Sequence, residues 1–214
     1  RGLPRDRLHA YGLPIRADFA RELADRAEIR AGFGLDTALP VVVVMGGGGG
    51  IGPIEAIVRE AAAALGAASP GAPAAQIAVV CATNRRLKAK LEAGLWPVPV
   101  TALGYVDRMA DLMHAGDLLV TKAGPGTIAE ACVRGLPMLL TGFIPGQEAP
   151  NVDHVVDAGA GLFEPKPKRI GADIARLMTE GRDRLAAMAA AARTLGRAQA
   201  TRDIVASILA GRAG

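Results

Sequence analysis

Short apolar runs alternate along the chain with stretches of helical pattern. VVVVM (residues 41–45), IAVVC (77–81), VPVTAL (98–103), LLVT (118–121) and MLLT (138–141) are continuous rather than alternating. That is how strands buried on both faces read. Between them the apolar spacing predicts helices over about 53–65, 85–93, 108–115 and 126–134. Each is long enough for a crossover, so the pattern predicts an α/β fold, a Rossmann-like parallel sheet flanked by helices in the doubly wound class. A further helix is expected before the first strand, over 18–31, with Phe19, Leu23 and Ala27 on one face. ASPGAPAA (68–75) reads as a surface loop. The Ala-rich, Arg-studded tail (182–212) reads as helix interrupted near Gly196. Met188, Leu195, Ile204, Val205 and Leu209 would form its packing face under a solvated basic one, although a basic amphipathic segment could also touch anionic lipid.

Composition adds a size and a charge. At 214 residues, half of them hydrophobic, the chain suits one large domain, or one domain with flanking pieces, around an ample core. A net charge of +4 favours anionic partners, whether phosphorylated ligands, acidic membrane surfaces or nucleic acid. Aromatic residues make up only 3%, which leaves few platforms for stacking bases and argues against nucleic acid. Cys81 and Cys132 stand far apart without metal-ligand spacing, so a reduced compartment is the easier reading. No apolar run is long enough to span a bilayer. The chain begins at Arg1, with a Pro- and Arg-rich lead, and is expected to be a fragment or a processed form.

In a doubly wound sheet, ligands bind beyond the carboxyl ends of the strands, and two glycine-rich corners fall there. The first, MGGGGGIGP (45–53), contains a G-x-G-x-x-G match at Gly47, Gly49 and Gly52. A dinucleotide site also wants an acidic residue at the end of the next strand, about 20 residues on. Here that strand ends in Cys81, Ala82, Thr83 and Asn84 without a carboxylate, though Arg85 and Arg86 could meet the extra phosphate of NADP. An NADP-dependent oxidoreductase therefore stays open as an alternative, as does a run of glycines that only permits a tight turn. A P-loop is excluded, because no Lys-Ser or Lys-Thr closes the run.

The second corner lies in LLVTKAGPGTIAEACVRGLPMLL (118–140). Small residues let backbone N–H groups approach a ligand, and the helix that begins near Gly126 offers unpaired N–H groups and the positive end of its dipole. Thr127 can add a hydroxyl to a phosphate, and Lys122 adds charge. Glu130, one turn into the helix, can accept two hydrogen bonds from a pair of adjacent hydroxyls such as a ribose presents. Its alternative role is to complement the helix dipole.

MGGGGGIGPIEAI, GYVDRMADLMHAGDLLVTKAGPGTIAEACVRGLPMLL and PGQEAPNVDHVVDAG closely resemble the monogalactosyldiacylglycerol synthases of plant and algal chloroplasts. More distantly they resemble the bacterial enzyme that adds N-acetylglucosamine to lipid-linked muramyl peptide. The likeness runs over about 11–168, and KAGPGTIAEA and GQEAPN are its most specific segments. The glycine run departs from the family pattern, in which an acidic residue commonly stands near Gly49. The resemblance implies the C-terminal, donor-binding half of a GT-B glycosyltransferase that moves galactose from UDP-galactose to 1,2-diacylglycerol with inversion. An isolated half of that kind is expected to be inactive. A sugar-nucleotide-binding module, or a transferase of another UDP-sugar, is the nearest alternative.

The same resemblance implies a division of the chain and a set of roles. Residues 1–16 would end the N-terminal domain and linker, 17–180 would form the nucleotide-sugar-binding domain, and 181–214 the helical tail. Gly104, Tyr105 and Val106 would read uracil, Glu130 the ribose, and Gly124, Pro125, Gly126 and Thr127 the diphosphate, with Lys122 beside them. Arg16 would reach donor phosphates, and Gly48 and Gly49 would join the same UDP-sugar site. Gln147, Glu148 and Asn151 would read sugar hydroxyls, or else form only a helix start. The family's essential N-terminal histidine has no counterpart in the chain, so no catalytic residue is named. His9, His114 and His154 read as surface or packing residues. No Asp-x-Asp pair stands at a strand end, so a divalent metal is not evident, and no cofactor is required. The implied location is peripheral, at the chloroplast envelope, with anionic membrane lipids and the diacylglycerol acceptor as partners.

Overall fold

A computed structural model describes residues 8–46 and 53–210. Gly48 and Gly49 lie outside the described residues. Six parallel strands form one sheet: β1 (Val41–Met45), β2 (Gln76–Val80), β3 (Val100–Leu103), β4 (Leu118–Thr121), β5 (Met138–Leu140) and β6 (Gly161–Phe163), in the order β3-β2-β1-β4-β5-β6. The chain leaves β1 toward β2 on one side and later starts β4 on the other. The reversal of direction lies between β1 and β4, where open sheets of this kind hold ligands.

The period-two alternation of the strands divides the interior into two cores. Val42, Val44, Ile77, Val79, Leu118, Val120 and Leu139 point to one face. There they meet α2 (Ile54–Ala68), α3 (Arg85–Glu92) and α7 (Pro167–Thr179). Val41, Val43, Ala78, Val80, Leu119, Met138 and Leu140 point to the other face. That side is covered by α4 (Met109–Ala115), α5 (Pro125–Arg134) and α6 (Ala149–Asp157). α2 and α7 approach so closely that a Cβ on Gly171 would stand 2.5 Å from the Glu60 carbonyl oxygen. The tail forms α8 (Arg182–Leu195) and α9 (Ala200–Ala210), separated as expected around Gly196. Met188 of α8 enters the first core and Ala192 the second.

The packing face expected of the tail does not continue through α9, where Val205 and Leu209 are 49% and 61% exposed. Two further expectations need correction. The helix over 18–31 is instead a 3-10 turn, Ala17–Phe19, followed by irregular chain and then α1 (Arg26–Gly32). Asp25 restarts the helix by accepting a hydrogen bond from Ala27 N at 2.8 Å, while Phe19 is buried in the second core and Arg134 donates to the Phe19 and Arg21 carbonyls. Asp117, just before β4, then clamps α1. Its carboxylate accepts from Arg26 at 2.7 Å, from Arg30 at 2.8 Å and from Val41 N at 2.7 Å. The second correction is an addition: β6 extends the sheet beyond the expected five strands, and α7 packs on one face of it.

Candidate functional site

The carboxyl ends of β3, β4 and β5 bring most of the expected residues to one edge. After β4 the chain passes through Lys122 and Ala123 to Gly124, and Pro125 opens α5 in the first-turn position where its missing N–H costs nothing. Gly124 is the cap residue, in extended conformation, and has no side chain to satisfy the first-turn N–H groups. A Cβ there would stand 3.1 Å from Lys122 Nζ. A Cβ at Gly126 would meet nothing within 4 Å, so the backbone of the first turn is open to an approaching group. The corner itself is held fast. Ala123 N donates to Gly142 O at 2.7 Å, and the Asn151 amide donates to Ala123 O at 2.9 Å.

Lys122 and Glu148 join the second and third parts of the site. Lys122 Nζ lies 2.5 Å from Glu148 Oε1, and Ile144 N donates to Glu148 Oε2 at 2.9 Å. Burial pushes the Glu148 carboxyl up, but the ammonium and the backbone N–H outweigh it and hold the group below the usual glutamate range. Glu148 is the residue before α6, yet its side chain does not cap that helix. It ties the loop after β5 to the corner after β4. Gln147 beside it is exposed, and Gly146 takes a left-handed conformation, φ 79°, that lets the loop turn into α6.

On the other flank, Arg16 connects the chain's lead to the loop after β3. Its guanidinium pairs with Asp18, donates to Asp107 O at 3.1 Å and lies over the Phe19 ring. The bond to Asp18, with smaller contributions from the charges of Glu130 and Tyr105, raises its pKa. Glu130 responds in the opposite sense to an ordinary paired carboxylate: burial pushes it up, and Arg16 only partly offsets that. Glu130 makes no salt bridge among the described residues. Tyr105 is exposed, and the surface at Gly104 is open, beside a depression of about 390 Å³ that runs to Phe33 and Arg108.

The expected residues thus fall into three neighbouring groups: Gly104, Tyr105 and Val106 with Arg16; the corner from Lys122 to Glu130; and Gln147, Glu148 and Asn151 joined to that corner by two side-chain contacts. What sequence reasoning missed is the pairing. Lys122 and Glu148 are 26 residues apart, and Arg16 and Asp107 are 91 apart. Pairing of β4 with β5 brings the first pair together, and packing of the lead against the loop after β3 brings the second. Two histidines lie outside these groups, His9 stacked on Tyr11 and His114 half-buried on α4 at the opposite edge, while His154, exposed on α6, lines a depression with Pro125 and Asn151. Among the described residues, no group of three or more His, Cys, Asp or Glu side chains is placed to hold a metal ion.

The model of the glycosyltransferase family 28 C-terminal domain matches residues 41–206. The chain belongs to that family. The match begins with β1 and extends into α9, so it includes both glycine-rich corners and the loop of Gln147 and Glu148. Among curated relatives, the family 28 chain is 44% identical over 174 residues to monogalactosyldiacylglycerol synthase 1, chloroplastic, of Arabidopsis thaliana, covering 81% of this chain and 33% of the relative. It is 45% identical over 179 residues to the probable monogalactosyldiacylglycerol synthase, chloroplastic, of Glycine max, covering 84% of this chain and 33% of the relative. The chain therefore spans about a third of the length of these curated relatives. Among solved structures, Acinetobacter baumannii MurG superposes with a TM-score of 0.64 at 20% identity, over 91% of this chain and 55% of that one. WaaG, a glycosyltransferase involved in lipopolysaccharide biosynthesis, superposes with a TM-score of 0.61 at 21% identity, over 89% and 50%. At these identities the likeness establishes the fold: a six-stranded parallel sheet of the kind found in GT-B glycosyltransferases.

Proposed function

We propose that the chain is the donor-binding half of an inverting glycosyltransferase that transfers galactose from UDP-galactose to 1,2-diacylglycerol, giving monogalactosyldiacylglycerol. The observation that carries this reading is the 44–45% identity to synthases of that name across four-fifths of the chain. In this proposal Gly104, Tyr105 and Val106 read the uracil and the Glu130 carboxylate accepts from the ribose hydroxyls. The open first turn of α5, from Gly124 to Thr127, receives the diphosphate, with Arg16, Gly48 and Gly49 completing the phosphate end. Gln147 faces the hexose, while Glu148 and Asn151 act by holding the Lys122 corner in place. The diacylglycerol oxygen attacks the anomeric carbon as the bond to the diphosphate breaks. The hydroxyl proton passes to a base outside these 214 residues, on the facing domain that the family implies. Negative charge grows on the departing UDP, and pre-aimed N–H donors at a helix N-terminus stabilise it without reorganisation. Divalent metal is not required by this design. By analogy with relatives named chloroplastic, the enzyme would work at the surface of a chloroplast envelope membrane. In this proposal the association is peripheral; among the described residues no helix is long and apolar enough to cross a membrane.

The test joins this chain to the N-terminal half of one of its relatives and supplies UDP-galactose and diacylglycerol. Formation of β-linked monogalactosyldiacylglycerol, with UDP released in equal amount, is the expected result. A joined protein that binds UDP but transfers a different sugar in preference would contradict the galactose assignment. Stabilisation against heat by NADPH rather than UDP would overturn the whole reading.

A further inference from the structure

At the edge of the sheet opposite the donor corner, where Pro40, Asp117 and Pro137 lead into β1, β4 and β5, lies a depression of about 480 Å³. One face of α8 forms its wall. Arg182, Leu185, Ala186, Ala189 and Arg193 recur there at helical spacing, so a cation stands at each end, roughly 16 Å apart along the helix. The floor is apolar: Met113, Leu136, Leu177 and Met178 are all buried. The volume lies in the range of small-molecule pockets.

The charge around this depression is not balanced. Among the described residues four arginines line it, Arg26, Arg134, Arg182 and Arg193, against one carboxylate, Asp117. That carboxylate is already engaged, since it accepts from Arg26, Arg30 and Val41 N. Arg182 and Arg193 are exposed and form no ion pair among the described residues. Arg182 opens α8, where a cation opposes the macrodipole, so the helix gains nothing from it. Arg193 lies against Gly135, next to Arg134: a Cβ on Gly135 would stand 2.7 Å from Arg193 Cγ. Arg26 and Arg134 each bond through Nη2, and the Nε of each is buried with no partner among the described residues. Burial, and then the charges of Arg134 and Arg26, push the imidazole of His114 on the same wall below its usual range.

Guanidinium planes and methionines around an apolar floor favour a flat ring over a flexible chain. Guanidinium groups stack on aromatic faces, and thioether sulfur packs at ring edges. The unpaired cations call for a counter-charge, best met by a planar carboxylate that accepts two parallel N–H bonds. We propose that this depression is a binding site for a soluble aromatic carboxylate. It is separate from the donor corner, although β4 and α5 each run from one to the other. The inference does not rest on the donor reading.

Calorimetry of the chain with naphthoate at neutral pH tests it, beside naphthylmethanol, which has the rings without the charge, and acetate, which has the charge without the rings. Naphthoate is expected to bind. Naphthylmethanol should bind about tenfold more weakly for want of charge-assisted hydrogen bonds. Acetate should bind on the order of fifty-fold more weakly, for the loss of about 100 Å² of apolar contact. Arg182→Gln with Arg193→Gln should weaken naphthoate roughly tenfold, since an exposed ion pair is worth up to about a factor of five. Ala189→Glu, which puts a competing carboxylate on the same face of α8, should weaken it at least as much. Lys166→Gln with Lys168→Gln removes the same charge from exposed positions at the start of α7 and should leave the affinity unchanged. An unchanged urea midpoint certifies the fold of each variant. Saturating UDP should leave naphthoate binding unaltered. No binding of naphthoate, equal affinity for naphthylmethanol, equal losses in the α7 control, or displacement of naphthoate by UDP would each overturn the site.

Discussion

Glu148→Gln is the substitution that separates an architectural role from direct reading of the sugar. The side chain keeps its shape but loses the charge that accepts from Lys122 Nζ at 2.5 Å and from Ile144 N at 2.9 Å. A hydrogen bond between charged groups contributes about 1.5–3 kcal/mol, and exposure moves it toward the low end. Glu148 is 8% exposed and Lys122 33%, so the pair should be worth about 1.5–2 kcal/mol. Urea unfolding of Glu148→Gln, Lys122→Met and the double variant gives the coupling directly. Each single change should cost about that amount, and the double change little more than either. The pH dependence has a definite sign. The folded carboxyl is held below its unfolded value, so its contribution is fully present above the unfolded pKa and is lost as pH falls through the folded one. The unsubstituted chain should therefore lose its advantage over Glu148→Gln in acid. Additive single losses, or an advantage that persists below the folded pKa, would refute the pairing argument.

Three further outcomes follow from the same geometry. Glu130→Gln should weaken UDP by about 1.5–3 kcal/mol in calorimetry, as for a hydrogen bond to a charged group, and leave pyrophosphate nearly unaffected. Because burial raises the Glu130 carboxyl above the usual range and ribose hydroxyls favour its ionised form, UDP affinity should decline on acidification sooner than for an ordinary glutamate. An affinity flat down to the usual glutamate pKa would contradict this. Gly171→Ala should cost roughly 2 kcal/mol or more in urea unfolding, because the added Cβ would stand 2.5 Å from backbone of α2, where neither helix can yield alone.

The parts of the fold that were legible are those whose burial is continuous. β1 reads plainly because Val41, Val42, Val43 and Val44 are all buried and β-branched residues favour strands. β6 has only Gly161, Leu162 and Phe163, of which Leu162 is partly exposed and Phe163 open, so no buried run announces it. α7 follows a lead of Pro and Lys that reads as loop, and its apolar face begins only at Ile170. The segment before β1 misled because Phe19, Leu23 and Ala27 have helical spacing, whereas Phe19 is fixed by tertiary burial and Asp25 caps a separate helix. The turn from β4 into α5 was legible because Gly124, Pro125 and Gly126 are local chemistry. The contact of Glu148 was not, since a helix-start residue gives no sign that its carboxylate turns away to Lys122, just past the neighbouring strand.

The central claim is that one edge of this sheet holds a uridine nucleotide in two grips, with Glu130 on the ribose and the first turn of α5 on the diphosphate. Calorimetry of the chain with UDP, with an analogue lacking both ribose hydroxyls, and with pyrophosphate tests it most directly. UDP should bind weakly but measurably. The analogue should lose about 1.5–3 kcal/mol in the unsubstituted chain and little in Glu130→Gln, since the partner of those hydroxyls is then already gone. Equal affinities for UDP and the analogue in the unsubstituted chain, or an equal loss in both proteins, would contradict the account.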